Sequence, residues 1–250
     1  GTEYLDYNQG NKILNTTTYG EFAVNYNRTI AEDHDITGML IGIIRNYQTA
    51  NGGDLQASLP ARNLGVSGRA TYAYKNRYLF EFNFGYNGSE RFSKDHRFGF
   101  FPSFGVGWNL NEEKMFEFMN PVVSRLKLRA TYGLVGNDQI GEDRDRFFYL
   151  SQVNPNNGGR GFSWGNNWDY TRPGYSISRY ENRDITWERA KTFDAGFDLN
   201  LKNGLGVVFD YYNSTRSNIL MVRSNIPSTT GFQADIQANI GKAQSRGFDL

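Results

Sequence analysis

Apolar and polar positions alternate along most of this chain. Residues 78–87 read YLFEFNFGYN: Tyr78, Phe80, Phe82, Phe84 and Tyr86 take every second place, with Leu79, Glu81, Asn83 and Gly85 between them. Successive side chains of a β-strand point to opposite faces, so the stretch puts an aromatic wall on one side and a carboxylate, an amide and a glycine on the other. The pattern recurs and predicts strands over 19–30, 36–47, 62–74, 77–90, 97–110, 125–136, 185–201, 205–217 and 240–250. Helical periodicity is confined to EEKMFEFM at 112–119, enough for a turn or two.

The two faces differ consistently in chemistry. Phe80, Phe82, Phe84, Phe104, Trp108, Leu128 and Phe197 fall on the apolar face, which is essentially uncharged and is expected to meet lipid. Arg69, Glu81, Asn83, Arg97, Lys127, Arg129, Asp194 and Asp198 fall on the polar face, interleaved with glycines, and are expected to line a wet lumen or hold a neighbouring domain.

The connections sharpen this picture. Tight links at 31–35, 75–76 and 202–204 and a modest one at 111–124 alternate with longer ones at 48–61, 91–96, 137–184 and 218–239, of which 91–96 is the least extended. In an up-and-down meander every second connection lies at the same end, so one end is trimmed and the other elaborated. That asymmetry belongs to outer-membrane barrels, with short periplasmic turns and long extracellular loops. Strands of 12–14 residues also exceed the usual globular length of about 5–6. Tyr72, Tyr74, Tyr78 and Trp108 flank short turns, where an interfacial aromatic girdle falls. The fold class expected is all-β, an antiparallel up-and-down transmembrane β-barrel segment of about nine strands, with 1–250 one barrel domain and no internal boundary. The alternative is a soluble β-sandwich whose core takes the aromatics.

Composition narrows the function classes. The longest apolar run, GMLIGII at 38–44, is far short of the ~20 residues a spanning helix needs. Aromatics at 16% and 28 glycines, against a usual glycine share of about 7%, suit a large antiparallel protein. A net charge of +1 provides no field for nucleic acid. Cysteine is absent, so no disulfide, thiolate nucleophile or thiolate metal site exists. No signal peptide is visible, and the chain reads as a piece of something larger.

Against that background the run RNLGVSGRATYAYKNRYLFEFNFGYNGSERFSKDHRFGFFPSFGVGWNLNEEKMFEF, followed by LKLRATYGLVGND, resembles the SusC/RagA-type TonB-dependent outer-membrane transporters. ITWERAKTFDAGFDLNLKNG and IGKAQSRGFDL are similar to the same family's barrel, so the likeness covers about 62–250. The resemblance implies a 22-stranded barrel filled by an N-terminal plug and capped by a SusD-like surface lipoprotein. It implies import of glycans or peptides with energy relayed by the TonB complex, in the outer membrane of a Gram-negative cell. No plug, TonB-contacting box or closing C-terminal strand is found, so the resemblance implies that a chain of about nine strands would be a central-to-late part of that barrel.

Chemical signatures are sparse. His34 in AEDHD and His96 in SKDHRF lie in connections at opposite ends of the sheet and cannot share a site. Phosphate-loop, nucleophile-elbow and dinucleotide fingerprints are missing. No enzyme activity, cofactor or metal is expected. Asp138, Glu142, Asp143 and Asp145 cluster at 136–147, but their spacing is not that of an EF-hand, and arginines interleave. The best candidate for ligand or lipoprotein contact is 137–184, dense in Trp164, Trp168, Tyr170, Tyr175 and Tyr180 with Asn and Gly. Such rings stack on sugars or peptides and also concentrate affinity at protein surfaces; a self-packed loop is the plain alternative. The readings kept open beside the importer are a TonB-independent porin-like barrel, a soluble carbohydrate-binding sandwich and an outer-membrane hydrolase.

Overall fold

A computed structural model of the chain describes residues 10, 12–53, 55–140 and 147–250. Its strands are β1 (Asn15–Ile30), β2 (His34–Thr49), β3 (Ala61–Tyr74), β4 (Tyr78–Ser89), β5 (Phe98–Asn109), β6 (Val123–Asn137), β7 (Gln152–Trp164), β8 (Tyr170–Arg179), β9 (Glu188–Leu201), β10 (Gly206–Val222) and β11 (Gln237–Asp249). Nine of them form one antiparallel sheet in the order β1-β2-β3-β4-β5-β6-β9-β10-β11, while β7 and β8 pair only with each other. The up-and-down meander expected from the alternation is therefore present.

Three expectations need correction. The stretch 137–184 is not a plain loop, because β7 and β8 build a hairpin within it. Pro155, Pro173 and the glycines of GGRG break the alternation, and the pairing register jumps between Asn157 and Phe162 at that point. The strand expected over 97–110 ends at Asn109, because a 3₁₀ turn at Leu110–Glu112 takes Leu110 out of it and buries it. The turn expected in EEKMFEFM is present as 3₁₀ at Lys114–Met119. His34 opens β2 rather than sitting in the connection, and shares a 2.8 Å hydrogen bond with the Tyr72 hydroxyl.

The short links sit at one end of the sheet and the long ones at the other, hereafter the trimmed and elaborated ends. At the trimmed end Lys75 and Asn76 take left-handed backbone, φ 50° and 53°, which matches the twist of the strands they join. The Lys75 ammonium lies 3.2 Å from the Asp33 carboxylate, tying two neighbouring turns.

On the apolar face, one cross-strand row runs Tyr26, Gly38, Ala70, Phe82, Phe104, Tyr132, Phe193 and Asn213. The uncharged stretch moves steadily relative to such rows. On β1 it is Phe22, Val24 and Tyr26, and Arg28 follows one step toward the trimmed end. On β4 it runs from Tyr78 to Tyr86. On β9 it covers Phe193 to Leu201, and Lys191 and Arg189 lie on the elaborated side of Phe193. On β10 it shrinks to Val207, Phe209 and Tyr211 before Asn213 and Thr215. The apolar band thus slides toward the trimmed end from β1 to β10. Strands tilted by about 35–45° in a flat slab give that slant, since the slab cuts the rows obliquely.

Full burial is concentrated at the elaborated end. Phe92, Ile140, Phe148, Ile185 and Trp187 form a core, with Phe101 and Leu220 packed on it. Phe101 stands on the polar face of β5, and its ring fills space left by Gly99 and Gly136, where any Cβ would collide with it. The 90–97 connection ties this core together: Arg91 donates to the Ile140 carbonyl at 2.7 Å, and the Ser93 hydroxyl donates to the Arg183 carbonyl at 2.8 Å.

Candidate functional site

Two groups of charges stand out on the polar face. Between β3 and β4, the Arg69 guanidinium donates to Glu81 at 3.0 Å and the Asn83 amide donates to the other Glu81 oxygen at 2.8 Å. Between β6, β9 and β10, Arg129 meets Asp194 at 3.8 Å, Asp198 at 3.2 Å and Asp210 at 2.6 Å. Arg129, Gly196 and Asp210 occupy one cross-strand row. Gly196 leaves the central place empty, and a Cβ there would strike the Asp210 side chain. The arginine can therefore cross a whole strand to its third carboxylate. Asp210 was missed from the sequence, although its alternation with Phe209 and Tyr211 places it on this face. Lys127 stands opposite Asp198 in the register and lines a cavity of about 310 Å³ with Glu81, Arg129 and Thr131. Arg97 lies one residue ahead of β5, in the connection and not in the strand.

At the elaborated end the five aromatic candidates separate. Trp164 and Tyr170 face each other across the tip of the β7–β8 hairpin with centroids 4.7 Å apart, and Phe162, missed from the sequence, stacks beside Trp164. Arg172 lies over the Tyr170 ring at 5.1 Å. Trp168 sits at the turn itself with φ 56° and is 73% exposed, so it projects from the tip as a free knob. Tyr175 is exposed farther down the hairpin. Tyr180 stands apart and packs on Phe232 at 5.1 Å.

Tyr180 and Phe232 belong to a second feature, a cavity of about 440 Å³ between 179–185 and the β10–β11 connection. Arg179, Glu181, Asp184, Arg223 and Asp235 give it both signs of charge. Its walls are stitched together: Ile177 N–H donates to Gln233, Gln233 N–H to the Tyr180 hydroxyl, and the Asn182 amide to the Gln237 carbonyl. This arrangement combines rings for stacking with charges of both signs and amides for hydrogen bonding, on connections held in place by the buried core. Of the acidic cluster at 136–147, Asp138 is described, whereas Glu142, Asp143 and Asp145 lie outside the described residues.

At the trimmed end the apolar face carries a row of rings interrupted by Leu128: His34, Tyr74, Tyr78, Trp108, then Leu128, Phe197 and Phe209. Tyr74–Tyr78 and Tyr78–Trp108 stack at 6.4 and 6.2 Å. Glu113, in the 110–122 connection, accepts from the Tyr78 hydroxyl at 2.6 Å and from Trp108 Nε1 at 3.4 Å, with Arg77 at 3.5 Å. The Tyr78 hydrogen bond, helped by Trp108 and Arg77, holds the Glu113 carboxyl below the usual carboxylate range.

Known proteins share this architecture. The whole chain, residues 1–250, matches the family of TonB dependent receptor-like β-barrels. It is 37% identical over 201 residues to the TonB-dependent receptor SusC of Bacteroides thetaiotaomicron, covering 78% of this chain and 19% of that protein. It is 30% identical over 252 residues to the TonB-dependent receptor P39 of Formosa agariphila, covering 90% of this chain and 22% of that one. Among solved structures, the RagAB peptide importer in its closed-closed state superposes with a TM-score of 0.72 at 22% identity, over 95% of this chain and 27% of that one. The chain therefore spans about a fifth of the length of the receptors it matches.

Proposed function

Since the chain belongs to the TonB-dependent receptor β-barrel family, we propose that it forms part of the wall and outer loops of an outer-membrane nutrient importer. The cargo is a glycan or a peptide, and a SusD-like surface lipoprotein is the partner. The single observation that carries this reading is the slanted apolar band: its slide across the register from Tyr26 on β1 to Phe209 on β10 suits tilted strands crossing a lipid slab. A sandwich core has no slab to cut its rows obliquely.

In this reading the apolar face, with Phe80, Phe82, Phe84, Phe104, Trp108, Leu128 and Phe197, meets lipid. The polar face, with Arg69, Glu81, Asn83, Lys127, Arg129, Asp194 and Asp198, looks inward and holds the plug through hydrogen bonds and charge. The β7–β8 hairpin presents Trp164, Trp168 and Tyr170 to the lipoprotein, and the cavity beside Tyr180 contacts the ligand on its way in. Movement of the plug, driven through the TonB complex, opens the lumen. The chain's own work is to span the membrane, to anchor the plug and to hold the outer loops in a fixed shape.

Uptake of labelled oligosaccharide and oligopeptide by cells carrying the full-length receptor, with TonB present or deleted, tests the proposal. Import of one cargo that disappears without TonB supports it. Import that persists without TonB overturns it in favour of a porin-like pore.

A further inference from the structure

The 110–122 connection shows more apolar surface than a solvated turn needs. Met115 is 69% exposed, Phe118 76% and Val122 63%. The Lys114–Met119 turn is 3₁₀, in which side chains three residues apart eclipse. It therefore has three edges. Phe116 and Met119 share a half-buried edge turned to the protein. Lys114 and Glu117 share a charged edge. Met115 and Phe118 share an exposed apolar edge, with the Phe118 ring 6.4 Å from that of Phe116.

The position of this turn identifies its occupant. Glu113, the residue just before it, is gripped by Tyr78 and Trp108, both members of the ring row on the apolar face. The far end is fixed as well, since Lys202 N–H donates to the Val122 carbonyl at 2.9 Å. The turn is thus pinned at the rim of the apolar face, directly beyond its aromatic row. We infer that residues 114–122 form an interfacial foot: Met115, Phe118 and Val122 dip into the periplasmic leaflet of the outer membrane, while Lys114 reaches the phospholipid headgroups. Amphipathic segments of this kind seat their apolar side about 5–10 Å into the headgroup–acyl boundary. A lysine stem can lie along that boundary with its ammonium at the phosphates. The inference rests on the proposal that the apolar face meets lipid, and it adds a segment outside the strands that anchors the barrel at a set depth.

The chain has no cysteine, so single labels are easily placed. In the full-length receptor assembled in phospholipid vesicles, Phe118→Cys, Lys114→Cys and Phe104→Cys each carry one polarity-sensitive fluorophore. Quenching is compared between lipid brominated near the headgroup and iodide in the water. The inference predicts that the label at 118 loses most of its emission to the brominated lipid, that the label at 114 responds to iodide, and that the label at 104 is shielded from iodide and quenched from the lipid. A label at 118 that answers only to iodide, or to neither quencher because protein covers it, overturns the foot while position 104 still reports lipid. If position 104 is also blind to lipid, the membrane reading of the whole face falls with it.

Discussion

Arg129 reaches Asp210 across an intervening strand: its Nη2 lies 2.6 Å from Asp210 Oδ2 although β9 separates the two residues, and the crossing is open because β9 places Gly196 there. Asp194 and Asp198 flank the gap on either side. One cation therefore ties three strands of the wall, and all four of its side chains are under a third exposed.

Replacing Gly196 by Val blocks this crossing, and Arg129→Met leaves three carboxylates without their cation. Each change is expected to cost about 2 kcal/mol, in the range for lost hydrogen bonds between charged groups. The temperature at which the folded barrel loses its compact band on unheated gels should fall for both. An unchanged transition in Gly196→Val would show that the arginine has another route.

How much of this was legible beforehand differs from one residue to the next. The two faces of β3–β6 and β9 could be read directly, since alternation of Phe82 with Asn83 or of Phe197 with Asp198 fixes strand and face together. The reach of Arg129 could not be read, because it depends on which residue of β9 lies opposite, and register is set by distant pairing. The β7–β8 hairpin was hidden by Pro155, Pro173 and the GGRG bulge, which erase the period of two in strands that face solvent on both sides. Phe92 gave the weakest signal of all. It is a lone aromatic in a short polar link, and its partner Trp187 lies 95 positions further on, 5.2 Å away in space.

Phe92 is completely buried, so Phe92→Ala should cost about 3 kcal/mol or more, as large-to-small changes in packed cores do. The loss is expected to be local. Hydrogen exchange across 138–187 should speed up while β3–β5 keep their protection. Uniform loosening of the sheet would contradict the assignment of this core to the outer connections.

The hairpin tip should matter to partner binding and not to folding. Trp168→Ala and Trp164→Ala are each expected to weaken binding of the surface lipoprotein about tenfold or more, as truncation of an interface aromatic commonly does. Calorimetric titration of the detergent-solubilised receptor with the lipoprotein checks this. Wild-type affinity in both variants would remove the hairpin from the interface.

The grip on Glu113 sets a pH dependence at the trimmed end. Its folded carboxyl titrates below the ordinary range because of Tyr78, Trp108 and Arg77. The stabilisation it contributes is therefore present above the carboxyl's unfolded pKa and is lost as pH falls through the depressed folded value. A nitroxide at Met115→Cys should stay ordered at neutral pH and become mobile only in acid. Glu113→Gln should flatten that profile; a profile that stays steep would assign the titration to another group.

The most direct test of the account concerns Phe82 and Asn83, adjacent residues on opposite faces of β4. Each is changed to Cys in the full-length receptor, labelled with one fluorophore and measured in bilayers against brominated lipid and aqueous iodide. The account predicts quenching from lipid at 82 and none from lipid at 83. If neither position senses lipid, the aromatic wall is a protein core or a binding ridge, and the barrel assignment of this face is wrong.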